Sequence, residues 1–81
     1  MESEIKRGLY RHYRGKLYEV IGTARHSETL EKLVVYHALY NSKKFGKNVL
    51  WARPMNMFSE NVRIDGRKVP RFKYLGRREI K

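Results

Sequence analysis

The sequence contains no cysteine, only two prolines and only eight acidic residues among its 81 positions. Without cysteine there is no disulfide framework, no thiolate zinc site and no thiol nucleophile, which fits a reducing compartment. No apolar run approaches the roughly 18 residues that a membrane-spanning helix needs. The opening residues MESE lack the basic and then apolar order of a secretory signal. We therefore expect a cytoplasmic protein without a membrane partner.

The length of the chain predicts a single domain that covers residues 1–81. About 80 residues is near the lower limit at which one hydrophobic core stabilises a fold unaided. The first residues and the C-terminal GRREIK are expected to be loose, which leaves an ordered core at about residues 6–76. A chain of this size has little room for a deep catalytic cavity beside its core. We expect a monomer with no catalytic residues and no cofactor.

Positive charge is the main compositional feature, and it is concentrated in the second half. The formal net charge is +11. Residues 1–40 hold seven Lys and Arg against five Asp and Glu, whereas residues 41–81 hold twelve against three. A one-sided basic surface attracts polyanions such as nucleic acid. The alternative interpretation is that these charges only keep the protein soluble.

The hydrophobic residues recur with a period of two, which predicts short β-strands rather than helices. Residues 8–22 and 62–75 have the pattern of hairpins, and residues 32–40, KLVVYHALY, are typical of a central strand. Residues 41–48 are predicted to be a polar, basic loop, and residues 54–61 one helical turn that begins at Pro54. Five to six short antiparallel strands with one helical turn predict a small SH3-like β-barrel or roll, with an OB-type barrel as the alternative.

The first hairpin has two possible registers. A two-residue turn at Arg14-Gly15 predicts a core side formed by Leu9, Tyr13, Tyr18 and Val20, and an opposite side formed by Tyr10, His12, Leu17 and Glu19. Arginine is a poor occupant of a left-handed turn position, so a longer turn with Gly15 in a bulge is the competing register. A slip of one residue exchanges the two sides. In the second hairpin Asp65-Gly66 marks the turn, and Pro70 indicates an edge or a bulge.

A set of motifs extends over residues 8–74. They are GxYxH at residues 8–12, [RK]GxxYEV at 14–20, ARHSET at 24–29, VVYxxLY at 34–40, Trp51, RPxxMF at 53–58, DG at 65–66 and RF at 71–72. In this combination the chain resembles a small bacterial and archaeal domain family that is catalogued only as being of unknown function. The chain departs from that pattern at Arg14, where the family has lysine, and at residues 41–48, which are longer and more basic. The resemblance implies a shared fold and a shared surface, but no activity.

The segment His26-Ser27-Glu28 has the residue types of a hydrolytic triad but not its arrangement. Adjacent side chains in an extended chain point to opposite sides, whereas a triad needs side chains that converge from separate segments. We therefore interpret the segment as a turn in which the Ser27 hydroxyl caps nearby backbone N–H groups. The histidines at positions 12, 26 and 37 have no spacing that requires a metal, and we predict no metal site.

Aromatic and basic residues are interleaved along the chain, and this pattern is typical of small barrels that hold single-stranded nucleic acid. The main hypothesis is a non-catalytic nucleic-acid-binding module, with RNA ahead of DNA. Bases would stack on Tyr10 and His12, with Trp51 as a third candidate. The phosphates would lie along Lys43, Lys44, Lys47, Arg67, Lys68, Arg71 and Lys73.

Two other hypotheses remain open. The first is a pocket for a nucleotide or another small anionic ligand, lined by Arg25, His26, Glu28, Tyr36, Trp51 and Arg53. The second is a protein-interaction barrel that binds a peptide in an aromatic groove.

Overall fold

The structure, a computed structural model, describes residues 5–77. Within them the chain forms nine short strands and one short helix. The elements are β1 (Gly8–His12), β2 (Leu17–Arg25), β3 (Lys32–Ala38), β4 (Asn41–Ser42), β5 (Gly46–Lys47), β6 (Leu50–Pro54), α1 (Met55–Phe58), β7 (Asn61–Ile64), β8 (Arg67–Pro70) and β9 (Phe72–Gly76). No helix in this part of the chain has the length and apolar composition needed to cross a bilayer.

The largest element is a five-stranded sheet with the order β6-β3-β2-β1-β9. Every pairing in it is antiparallel. The remaining strands form two separate hairpins, β4–β5 and β7–β8. The predicted mainly-β fold with one helical turn is confirmed. The strands are more numerous than the predicted five to six, and in the described residues the sheet has two edges, β6 and β9, instead of closing into a barrel.

The first hairpin adopts the longer of its two possible turns. Tyr10 pairs with Tyr18, and the His12 N–H donates to the Lys16 carbonyl (2.8 Å). This leaves a three-residue loop in which Gly15 takes the positive φ (106°) that a side chain resists. The side predicted for β2 is therefore correct, whereas the two sides of β1 are exchanged.

That exchange determines which residues build the core. Tyr10, Val20, Val34 and Tyr36 are buried on one side of the sheet, and Leu9 and Tyr13 are not part of this cluster. The prediction that β3 is a central strand is confirmed, because β3 pairs with both β2 and β6. An extra residue, Ile21, interrupts the β2–β3 ladder between Val20 and Gly22. Such a bulge increases the local twist of a sheet.

The helix α1 covers the core side of the sheet through one aromatic side chain. Pro54 precedes the helix with extended dihedral angles (φ −53°, ψ 139°), so the helix begins one residue later than predicted. Phe58 is 1% exposed and packs against Tyr10, Tyr36 and Phe72. A buried aromatic side chain of this kind contributes a large share of the stability of a small core.

In the second half of the chain, the turn of the predicted hairpin is confirmed, but its second strand is assigned incorrectly. The β7–β8 hairpin turns at Asp65-Gly66, and both residues have positive φ (50° and 78°), as a type I′ turn requires. Pro70 ends β8, at the edge position that its missing N–H predicts. Phe72 begins a separate strand that pairs with β1 and not with β7. Residues 41–48, predicted to be a loop, contain the short β4–β5 hairpin.

Candidate functional site

Six side chains on the core side of the sheet surround a cleft of about 140 Å³. They come from five strands, because every second residue of a strand points to the same side. We call this cleft the aromatic cleft, and its lining residues are His12, Tyr18, Tyr36, Trp51, Arg53 and Phe72. Trp51 lies at its rim, with 38% of its surface exposed. An engineered cavity of roughly 150 Å³ binds one benzene molecule, so the cleft has the size to hold one flat ring.

Arg53 supplies the positive charge of the aromatic cleft. Its Nε donates a hydrogen bond to the Tyr36 hydroxyl (3.3 Å), and its guanidinium carbon lies 5.8 Å from the centre of the Phe72 ring. Within residues 5–77 no carboxylate lies within salt-bridge distance of this guanidinium. A half-buried guanidinium without a carboxylate partner favours a ligand that carries negative charge or paired hydrogen-bond acceptors.

His12 forms an uncharged part of the cleft wall. Burial is the main cause that lowers the pKa of His12 from its ordinary value, and the guanidinium groups of Arg71, Arg53 and Arg14 lower it further. The ring is therefore neutral at neutral pH. Its Nδ1 accepts a hydrogen bond from the backbone N–H of Arg14 (3.2 Å), which assigns the remaining ring proton to Nε2.

Tyr18 lies between the aromatic cleft and a neighbouring tyrosine. Its hydroxyl is hydrogen-bonded to the Tyr40 hydroxyl (2.8 Å). Burial, followed by this hydrogen bond, raises the pKa of Tyr18 well above its ordinary value. The Lys16 Nζ lies 4.8 Å from the centre of the Tyr40 ring. Both tyrosines are therefore held in place, and Tyr18 presents a neutral, fixed ring to the cleft.

The β4–β5 hairpin, residues 41–47, presents three lysines, and we call it the lysine hairpin. The Ser42 Oγ accepts hydrogen bonds from the backbone N–H groups of Lys44 (3.2 Å) and Phe45 (3.1 Å), which fixes the tip. Lys43, Lys44 and Lys47 are exposed. In the part of the chain that the structure describes, none of them pairs with a carboxylate. Their charges are available to an external anion.

Phe45 connects the lysine hairpin to the aromatic cleft. Its ring is 56% exposed and meets the Trp51 ring edge to face, with centroids 5.5 Å apart. The Lys44 Nζ lies 5.5 Å from the centre of the Phe45 ring. Two exposed aromatic rings thus lie between a group of lysines and the cleft. Phe45 was absent from the predicted site, although an aromatic residue between lysines in a polar segment was the signal for it.

The other predicted phosphate contacts form a second basic region at the β7–β8 hairpin and β9. Arg67 and Lys68 are exposed on that hairpin. Lys73 and Arg11 line a groove of about 390 Å³ between the hairpin and β1. The apolar lining of this groove includes Ile64, Val69 and Pro70. The seven residues predicted to contact phosphate are therefore divided between two regions.

Arg71 differs from the other predicted phosphate contacts. Its NH2 nitrogen donates to the Glu60 Oε1 (2.9 Å), and its side chain is only 23% exposed. The backbone of Arg71 also accepts a hydrogen bond from Tyr13. This guanidinium therefore links the residue before β9 to the segment after α1, and its charge is paired within the protein.

The six-residue ligand pocket predicted from the sequence is not assembled. Three of its residues line the aromatic cleft: Tyr36, Trp51 and Arg53. The other three, Arg25, His26 and Glu28, lie at the β2–β3 turn and are exposed. Arg25 pairs with Lys32, and Lys32 precedes Tyr36 by four residues, which is roughly 13 Å along a strand. These two groups cannot line one pocket of this size.

His26 organises the β2–β3 turn in the way that was predicted for Ser27. Its Nδ1 accepts hydrogen bonds from the backbone N–H groups of Glu28 (3.2 Å) and Thr29 (3.3 Å). The Arg25 guanidinium donates to the Leu30 carbonyl (2.9 Å). Within residues 5–77 no histidine is hydrogen-bonded to a serine or threonine hydroxyl. The segment is a turn, as predicted, but histidine is its capping residue.

The prediction that Tyr10 presents an exposed ring to a base is wrong. Tyr10 is 6% exposed, and its ring packs against Phe58 with centroids 5.3 Å apart. Its hydroxyl donates to the Lys6 carbonyl (2.7 Å). The cause is the register of the first hairpin, which turns Tyr10 and His12 to the core side. His12 keeps a place at the candidate site through the aromatic cleft.

The three histidines lie in three separate parts of the fold. His12 is in β1 and His26 is in the β2–β3 turn. His37 is in β3, where its Nε2 lies 3.1 Å from the Glu19 Oε1. Among the described residues, no three His, Asp or Glu side chains are grouped closely enough to hold a metal ion.

The comparisons with known proteins place this fold in a family. A family model described as "Protein of unknown function (DUF1653)" matches residues 8–74. The chain belongs to the DUF1653 family. A crystal structure of a DUF1653 protein from Bordetella bronchiseptica is similar to it, with 33% sequence identity, 96% of each chain covered and a TM-score of 0.82. No curated protein matches the chain.

Membership of DUF1653 confirms the resemblance to a family of unknown function. The family description names no activity. The matched range contains all six residues of the aromatic cleft and the whole lysine hairpin. Both features therefore lie within the part of this chain that the family model matches.

Proposed function

We propose that the protein is a non-catalytic binding module for single-stranded nucleic acid. The observation that carries the proposal is the contact between the lysine hairpin and two exposed aromatic rings, Phe45 and Trp51. Proteins that bind single strands combine a positive surface for the phosphates with flat side chains on which bases stack. RNA is the first choice, because proteins recognise single-stranded RNA by stacking its unpaired bases on aromatic side chains.

The charges on this surface support the proposal. Lys43, Lys44 and Lys47 are exposed and have no carboxylate partner in the described part of the chain. Arg14 and Lys16 lie at the same end of the sheet, because β1 ends and β2 begins where β3 runs into the lysine hairpin. A phosphate backbone that meets these side chains releases its condensed counterions, which makes binding salt-dependent.

The bases have exposed rings on which to stack. Phe45 and Trp51 replace Tyr10 in this role, because their rings reach solvent whereas the Tyr10 ring does not. Stacking on an aromatic side chain contributes roughly 1–3 kcal/mol per base and is tolerant of sequence. His12 contributes through the aromatic cleft rather than through an open surface.

A salt titration with matched charge variants tests the proposal. We expect single-stranded RNA to bind with an affinity that falls steeply between about 50 and 200 mM salt. The variant Lys43→Ala/Lys44→Ala should flatten the log–log slope by up to about 1.4, since each phosphate contact on a single strand contributes about 0.7. Phe45→Ala should weaken binding while the slope stays unchanged, because stacking releases no counterions.

The matched control is Arg25→Ala/Lys32→Ala, at the opposite end of the sheet. It removes the same number of positive charges, but from two residues that face each other across the β2–β3 ladder next to the turn. A slope unchanged by this variant assigns the effect to the lysine hairpin and not to net charge. If neither RNA nor DNA binds at low salt, the proposal is wrong.

Peptide binding is a second candidate, and the groove at the β7–β8 hairpin is the observation that favours it. The groove has an apolar lining with Arg11 and Lys73 at its sides. This combination fits an extended peptide with acidic and apolar residues. The substitution Val69→Asp should weaken the binding of an acidic peptide. It should leave the affinity for RNA bound at the lysine hairpin unchanged. Failure of acidic peptides to bind at low salt removes this candidate.

A further inference from the structure

We propose that the aromatic cleft holds one unstacked base of the bound strand, and that Arg53 makes guanine the preferred base. This inference rests on the proposed binding of single-stranded nucleic acid. It adds base selectivity to a surface whose lysines and exposed rings are indifferent to sequence.

The walls and the size of the cleft fit a single flat ring. Tyr18, Tyr36 and Phe72 pack against one another edge to face, with centroids 5.4 to 5.6 Å apart. They form a rigid aromatic lining, and Trp51 stands at the opening. A cleft of about 140 Å³ admits a base from solvent but leaves no space for a second one.

Arg53 has hydrogen-bonding capacity that the protein does not use. Its Nε is bonded to the Tyr36 hydroxyl, which leaves the two terminal nitrogens of the fork without a protein acceptor among the described residues. A guanidinium binds guanine through O6 and N7 at once, and this is the most frequent specific contact between proteins and bases. Adenine offers N7 beside a donor amine, so it cannot accept both hydrogen bonds.

The positive charge of Arg53 disfavours a cationic ligand in the cleft. Aromatic clefts often bind quaternary or methylated ammonium groups through the faces of their rings. Here the guanidinium carbon of Arg53 lies 5.8 Å from the centre of the Phe72 ring and already occupies that kind of position. A second cation would be repelled. An acceptor-rich base has the complementary charge distribution.

The cleft is also continuous with the surface proposed for the strand. Trp51 lines the cleft and contacts Phe45 of the lysine hairpin. A strand whose phosphates lie on that hairpin therefore passes the opening of the cleft. One base has only to leave the stack to enter it, and a single-stranded base does so at low cost.

The test uses strands that differ at one base. Oligouridylates of about eight nucleotides carry a central guanosine, adenosine, cytidine or 7-deazaguanosine, and each is titrated at constant salt. Trp51 is the only tryptophan of the chain, so its fluorescence reports on the opening of the cleft. We expect the guanosine strand to bind about tenfold more tightly than the others, including 7-deazaguanosine, which lacks the N7 acceptor.

Two variants separate base selectivity from general affinity. Arg53→Lys keeps the charge but cannot form two parallel hydrogen bonds, so it should abolish the preference for guanosine and leave the salt slope unchanged. Lys43→Ala/Lys44→Ala should weaken all four strands equally and keep the ratio between them. Thermal unfolding of each variant verifies that the fold is intact.

The outcomes distinguish this inference from the proposed function. If all four strands bind equally and with the expected salt dependence, the base pocket is wrong and the nucleic-acid function stands. If guanosine monophosphate changes Trp51 fluorescence but no strand binds, both are wrong, and the cleft is a small-ligand site. A preference for cytidine or adenosine also overturns the assignment of guanine.

Discussion

Phe58 and Phe72 lie face to face, with ring centroids 4.2 Å apart and planes inclined by only 5°. One ring belongs to α1 and the other begins β9, so this stack joins the helical turn to an edge of the sheet. Phe72 also lines the aromatic cleft. The stack therefore supports the cleft from behind, and a change at Phe58 reaches the site without touching it.

We expect Phe58→Ala to lower the free energy of unfolding by about 3–5 kcal/mol, because it removes a fully buried aromatic side chain. Denaturant-induced unfolding followed by circular dichroism measures the change. A small domain has only about 0.05–0.15 kcal/mol of stability per residue, so Phe58→Leu, with an expected cost of up to about 1.5 kcal/mol, provides a variant that still folds.

The matched control for this prediction is Phe45→Ala. It makes the same chemical change at a ring that is 56% exposed, and it should cost less than about 1 kcal/mol. Equal losses at the two positions would contradict the assignment of Phe58 to the core.

The hydrogen bonds of the β2–β3 turn lead to a second prediction. His26→Ala removes the acceptor of two backbone N–H groups and should lower the free energy of unfolding by about 0.5–2 kcal/mol, as the loss of a cap does. His26→Asn should recover most of the loss, because the asparagine oxygen accepts the same type of bond two residues further along the chain.

Ser27→Ala is the control at the neighbouring position. Its hydroxyl makes none of these turn bonds, so we expect a change within about 0.5 kcal/mol. A larger loss for Ser27→Ala than for His26→Ala would reverse the assignment. Hydrolase turnover that depends on Ser27 would contradict the non-catalytic interpretation as well.

A third prediction concerns pH and His12. Burial and three guanidinium groups lower its pKa in the folded protein, so the unfolded chain binds the proton more readily than the folded one. This part of the stability is complete above the unfolded pKa of about 6.5 and is lost as the pH falls through the lower folded pKa. NMR titration of the ring protons should give a His12 midpoint below the ordinary histidine value.

Unfolding measurements provide the comparison for His12. Between about pH 7.5 and pH 4.5, the stability of His12→Asn should decline less than that of the natural sequence, because asparagine retains an acceptor for the Arg14 N–H but does not titrate. A His12 midpoint at or above the ordinary value would show that the ring is not held among these cations.

The strands could be predicted more accurately than their pairing. The alternation in β2 placed Tyr18 and Val20 on the core side correctly, since that strand is long and its pattern is regular. The adjoining β1 was assigned the wrong side, because one additional residue in its turn reverses every side chain that precedes it. The local sequence was compatible with both turn lengths, and the arginine at position 14 was the only indication in favour of the longer turn.

The site was predicted in part for a related reason. Tyr36, Trp51 and Arg53 come together because β3 and β6 are neighbours in the sheet. The β4–β5 hairpin lies between these two strands in the chain, and strands that follow one another in this way usually lie side by side. Phe72 joins them only through the pairing of β9 with β1, which links opposite ends of the chain. No local pattern reports such a contact. Arg25, His26 and Glu28, the other three residues of the predicted pocket, lie at the opposite end of β3 from Trp51.

The pairing of β1 with β9 has a consequence for engineering. Leu9 and Gly76 are direct partners in that ladder, and paired Cα atoms in antiparallel strands are about 5 Å apart. The chain thus enters and leaves the sheet at neighbouring points. A domain with this geometry can be inserted into a surface loop of a host protein without forcing the two ends of that loop apart. It can also be circularly permuted with a short linker. Either arrangement keeps the β1–β9 pairing in register, so the domain can be transferred between proteins as a unit.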